Sequence, residues 1–229
     1  MCFAQLKYMK PRFSNQRNHG LTLVEVLMVI AILAVIAAMF LPALAKAKRK
    51  SSRIGCINCL KQIGLAYRIW EGDNGDIYPM GISVTNGGSM EMVATGNVTQ
   101  TFLVMSNELS TPRILHCPED VAHIETYSFT GLANSNISYF VGVDVINDSN
   151  PKMIVSGDAN LAVNGVGVSP GIVSLSTNAS VEWTKERVGN YHAPGNIGFI
   201  DGSVQETTSP RLRIFLQQTG IATNRLAIP

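Results

Sequence analysis

Two thiols one helical turn apart, Cys56-x-x-Cys59, are the first feature of this 229-residue chain whose spacing invites chemistry, either disulfide exchange or the start of a zinc site. A structural zinc site takes about four ligands, and the other cysteines, Cys2 and Cys117, stand alone in the sequence. The redox reading needs a strand–helix setting, whereas Cys56 and Cys59 lie within a helical stripe. Beyond residue 20 the histidines are His116, His123 and His192. His192 and Asp201 would work as an acid–base pair only in a shared cleft, and Asp201 already has a turn to explain it. Asp73 and Asp76, or Asp144, Asp148 and Asp158, offer hard oxygen ligands, but the twelve-residue calcium loop with its closing glutamate is absent. Calcium therefore rests on acidity alone, and no other metal or cofactor is expected. Nucleophile-elbow, P-loop, dinucleotide and H-E-x-x-H patterns are also missing, so the chain does not read as an enzyme.

The elements that must carry these residues are set by an uneven distribution of charge. Charged residues make up 15% of the chain, against about 25% in an average soluble domain, while 46% are hydrophobic, which argues against disorder. Residues 1–20 carry +4, residues 21–61 carry +5, and the remaining 168 carry −7. The basic excess belongs to an apolar segment and its flanks, so no nucleic-acid partner is expected. From Val26 to Ala45 run twenty residues without a charge, VLMVIAILAVIAAMFLPALA. As a helix they span about 30 Å, the hydrocarbon thickness of a bilayer. A secretory signal cleaved after Ala43-Leu44-Ala45, or a plain anchor, would account for the apolar run but not for Glu25 at its head. Either would fit a membrane-tethered or secreted enzyme or binding module that uses the run only for export.

The stretch HGLTLVEVLMVIAILAVIAAMFLPALAKAK, with a short basic leader before Gly20, resembles the signal of type IV prepilins and type II secretion pseudopilins. The resemblance implies cleavage after Gly20 by a prepilin peptidase, methylation of the new amino terminus at Leu21, and retention of the helix. Leu21 stands where that signal usually has phenylalanine. A carboxylate five residues into a bilayer helix needs a partner, and the resemblance assigns Glu25 to the Leu21 amine of a neighbouring subunit, setting register. Pro42 removes one helical hydrogen bond, so a kink or local melting is expected there. The implied partners are the bilayer, copies of the chain or related pseudopilins, and an inner-membrane assembly platform. The implied location is the bacterial inner membrane, with the head in the periplasm, and later a pseudopilus or surface filament.

After Lys46, Lys48, Arg49, Lys50 and Arg53, an apolar stripe of Ile54, Ile57, Leu60, Ile63, Tyr67 and Trp70 continues the helix to about residue 70, with Gly72 as its stop. The expected order is a leader at 1–20, a transmembrane helix at 21–45, its amphipathic continuation at 46–71, and a head at 72–229. The fold class is α+β, a long pilin-like helix on a small antiparallel sheet with long loops. Val98–Leu109 reads as a short helix, and 114–117 as extended. Residues 137–142 and 152–156 read as strands, and 161–180 as a long loop or edge ribbon. Ser209–Gly220 reads as a closing helix. Asn196–Gln205 reads as a hairpin with Asp201-Gly202 in a type I′ turn. The stretches 56–79, 114–120, 136–144, 154–161 and 191–205 resemble a bacterial pseudopilin-like family bearing a His and Asp-Gly motif, here His192, Asp201 and Gly202. Eight residues separate His192 from Asp201 where that family's motif has nine. Cys2 would leave with the leader, and the odd set of three left in an oxidising compartment suggests a disulfide from Cys117 to Cys56 or Cys59, with buried free thiols as the alternative.

Overall fold

The computed structural model describes residues 20–184 and 194–229, and the chain divides into two compact units, 1–47 and 48–229. Helix α1 runs from Leu23 to Asp73 and passes through Pro42 unbroken, so no melting accompanies the proline. Its start is locked locally. Thr22 accepts from the Glu25 N–H at 3.3 Å through its hydroxyl, while the Glu25 carboxylate accepts the Thr22 N–H at 2.7 Å. This reciprocal pair is a capping box, which satisfies two of the donors a helix leaves open.

Within the second unit, Cys56, Leu60, Ile63, Tyr67 and Trp70 form the buried face of α1, while Ile54 is exposed. The buried face thus begins two residues later than the periodicity placed it, at Cys56. Short helices α2 (Met90–Val93), α3 (Thr99–Val104) and α4 (Ser106–Leu109) follow, so the single helix expected over 98–109 is split at Met105. Residues 112–115 form a 3-10 turn rather than a strand, because Pro112 opens the turn and the Thr111 hydroxyl accepts from the Arg113 N–H.

Strands β1 (Tyr139–Gly142), β2 (Ile154–Asp158), β3 (Leu161–Val163), β4 (Val166–Gly167), β5 (Gly171–Ser176), β6 (Val181–Trp183), β7 (Gly195–Phe199) and β8 (Val204–Thr207) are followed by helix α5 (Ser209–Gln218) and a last strand, β9 (Thr223–Ile228). Six of the strands make one sheet in the order β5-β9-β1-β2-β7-β8, with every pairing antiparallel, and β4-β3-β6 make a second, smaller sheet. The region expected to be loop or edge ribbon over 161–180 holds β3, β4 and β5. Strand β1 is buried on both faces. Tyr139 and Val141 point into a core built on α1, and Phe140 points into a second core with Leu212 and Leu216 of α5. The molecule is α+β, a long apolar N-terminal helix with an antiparallel sheet head.

Candidate functional site

Two regions gather the residues singled out by type and spacing. The first is the start of α1. Leu21 is 79% exposed, and the large apolar side chains from Leu23 to Leu44 remain 45–75% exposed. Burial of that area needs a solvent or partner other than water. The helix is long and apolar enough to cross a membrane. Both bonds that the Glu25 carboxylate accepts from Thr22, one from the N–H and one from the hydroxyl at 2.8 Å, fall on Oε2. The carboxylate therefore already has a partner in its own chain, a role that the Thr22-x-x-Glu25 spacing could have revealed and that charge pairing alone had hidden.

The second region is in the head. The Asp201-Gly202 hairpin forms between β7 and β8, but its turn differs from the expected type I′. Gly202 has φ 80° while Asp201 is not left-handed. Phe199 accepts from the Gly202 N–H and donates to Ser203, the pattern of a type I turn closed by a glycine bulge. Gly202 lies against Gly64 of α1, where a Cβ would come within 3.7 Å of the Gly202 Cα. Arg68 donates to the Ile200 carbonyl at 3.2 Å. Asp201 accepts the Ser203 N–H at 2.8 Å, so its carboxylate shapes the turn. His192 lies outside the described residues.

Beside this hairpin, six stretches of the chain wall one polar cavity, β8 among them through Glu206. Cys56 comes from α1, Cys117 and Asp120 from the following loops, Ser138 from the entry to β1, Asp158 from β2 and Asn196 from β7. Cys56 and Cys117 are joined by a disulfide, and Cys59 is a free thiol. Burial works to raise the Asp120 carboxyl, but hydrogen bonds from His123, Ser138 and the Ala122 N–H outweigh it and hold the group below its ordinary value. Asp158 goes the other way. Its Oδ2 accepts the backbone and side-chain N–H groups of Asn196 at 2.8 and 3.0 Å, while Oδ1 is enclosed without a partner. Burial pushes its carboxyl up to about 7, against the pull of the two Asn196 bonds. Gly157 must stay small here, since a Cβ would meet the Phe140 ring at 2.6 Å.

Two of the acids considered as calcium ligands have partners within the chain. Asp144 is bound by Arg225 at 2.6 Å and Asp158 by Asn196. Among the described residues no three Asp, Glu, His or Cys side chains are placed to hold a metal.

The raised Asp158 carboxyl has a pH consequence. Neutral in the fold up to about 7 but ionised above 3.8 when unfolded, it removes stability as pH rises from 3.8 through 7. Asp158→Asn is expected to flatten that slope, with a gain of up to about 4 kcal/mol above pH 8. Urea midpoints of the full chain in detergent, taken from pH 5 to 9, measure it. Parallel slopes for the two proteins would refute the assignment.

A family model described as the prokaryotic N-terminal methylation motif matches residues 15–41. The signal is pilin-like. That motif supports a pilin-like role, and with the apolar helix near the N-terminus it is compatible with a membrane-anchored protein of the cell envelope. No curated protein and no solved structure matches the chain.

Proposed function

We propose that the chain is a structural subunit of a type II secretion pseudopilus or type IV pilus-like filament, cleaved after Gly20, methylated at Leu21 and assembled by helix packing. The observation that carries this reading is the pilin-like methylation motif seated on a helix whose apolar side chains stay exposed. In lipid those side chains are at home, and in a filament they bury against the same helix of other copies. Glu25 then meets a neighbour's Leu21 ammonium and fixes the stagger between them. Copies of the chain or related pseudopilins are its partners, a prepilin peptidase its processing enzyme, and an inner-membrane assembly platform its loading site. The head faces the periplasm before assembly. Its hairpin motif at Asp201 and Gly202 acts as a structural clasp on α1, through Arg68 and Gly64.

N-terminal sequencing of the protein from membranes that contain prepilin peptidase tests the reading. A methylated Leu21 is the expected terminus. Lys46 would make the segment an ordinary signal peptide, and an intact Met1 would make it a plain anchor.

A further inference from the structure

Proteins with open sheets normally blunt the strand at each edge with charges, proline, bulges or short length, since an unpaired edge is a template for another strand. β5 has none of these devices. It is six residues long, GIVSLS, with no charge and no proline. It pairs with β9 in an unshifted register from Gly171↔Ile228 to Ser176↔Thr223. Its side chains are already committed. Ile172 packs against the α1 core, and Val173 and Leu175 pack against the α5 core. What β5 still offers is its outer backbone edge, which receives no strand from the described residues. At its first residue an open groove of about 580 Å³ is lined by Thr95, Asn97, Asn134 and Pro170, all uncharged.

We infer that β5 is a docking edge for a second copy of this chain, which adds its own β8 as the next strand. The choice of β8 follows from the strand directions. The six strands alternate without exception, so β5 and β8 run oppositely and stand at the two ends of one sheet. A copy placed beside the first in the same orientation brings β8 antiparallel to β5, and the alternation continues across the junction. Pairing β5 with β5 would also be antiparallel, but it relates the copies by a two-fold axis and closes a dimer. The proposed filament needs every α1 to point the same way, which only a head-to-tail contact allows. Because strands twist by roughly −20 to −25° each, repeated addition gives an open helix rather than a flat ribbon. The antiparallel arrangement brings the end of β8 to the uncharged groove, where the exposed Thr208 that follows it can exchange hydrogen bonds with Asn97 and Asn134. Glu206, the charge on the β8 edge, is already held by Arg53 at 3.1 Å and so does not repel the junction.

The docking edge rests on the filament reading for its polarity, and the experiment keeps the two apart. Ser174 and Gln205 are changed to cysteine, singly and together, in the full chain expressed with its processing and assembly machinery. Filaments sheared from cells are oxidised and resolved without reductant. Ladders of cross-linked copies are expected from the double variant and dimers alone from mixed filaments of the two singles, with no cross-link from either single by itself. Ser174→Lys should abolish the assembled material while processing at Leu21 and the circular dichroism of the purified protein stay unchanged. Dimers from Ser174→Cys alone would replace the junction with a β5–β5 contact. Normal assembly of Ser174→Lys, or filaments that yield no β5–β8 cross-link, would overturn it while leaving the filament reading intact. Loss of Leu21 processing in the wild type would instead remove the filament reading itself.

Discussion

Glu25→Val is expected to leave a protein that inserts in the membrane as well as the wild type but does not enter filaments. Insertion survives because valine is better suited to hydrocarbon than glutamate, and the apolar run behind it is unchanged. Assembly fails because cleavage after Gly20 creates an ammonium at Leu21, and the valine gives it nothing to pair with. An unpaired charge at this depth costs about 2.5–3.5 kcal/mol on insertion scales, which is roughly a hundredfold for each subunit added. The capping box adds a second consequence of losing Glu25, since removing a cap costs about 0.5–2 kcal/mol at the helix end. Glu25→Gln separates the two. Its amide oxygen can still accept from the Thr22 N–H, but it carries no charge. In the wild type Thr22 occupies only Oε2, which leaves Oε1 to the neighbouring ammonium. Membrane fractionation and recovery of sheared filaments are the two readouts. Both variants should fractionate with membranes and be missing from filaments. Wild-type recovery of Glu25→Val would sink the register role, and recovery of Glu25→Gln alone would reduce Glu25 to a helix cap.

Hydrophobic period and turn chemistry made α1, the closing helix and the β7–β8 hairpin legible, because each is decided by residues close in sequence. Three misreadings have local causes of their own. The run Ile-Leu-His-Cys at 114–117 has strand-like composition, yet Thr111 and Pro112 just before it cap and preset a 3-10 turn. The last strand escaped notice because its buried face includes Asn224, whose side chain donates to the Leu216 carbonyl at the end of α5. A polar residue that is satisfied only by tertiary structure breaks the alternation on which strand reading depends. Asp201-Gly202 suggests two left-handed residues, but Arg68 and Tyr78 hold the Ile200 carbonyl and the chain turns one residue earlier. The polar cavity had one sequence signal, the expected pairing of Cys117 with Cys56 or Cys59, and no other. Its wall comes from six segments spread between Arg53 and Glu206, and apart from the two cysteines none of them contains a residue that calls for the others.

Cys117 illustrates the same limit and leads to a large stability effect. Cys56 and Cys59 are one turn apart on α1, so helical periodicity offers both as partners. In the structure the bond is to Cys56, across a sequence separation of 61 residues. Closing a loop of that length removes enough chain entropy from the unfolded state to stabilise the fold by about 4 kcal/mol, within a typical range of about 2–5. Cys117→Ser is therefore expected to lower unfolding stability by about 4 kcal/mol, and reduction of the wild type should reproduce the loss. Peptide mapping without reductant should join Cys56 to Cys117 and find Cys59 alkylated alone. Cys59 should also stay out of exchange. It lies one turn from the bond, but burial raises its thiol pKa, so the attacking thiolate is scarce at neutral pH. Cys59→Ser should accordingly leave both the pairing and its kinetics of reduction unchanged. Three alkylated thiols, an unfolding midpoint indifferent to reduction, or a Cys59–Cys117 bond accumulating on standing would each contradict this account.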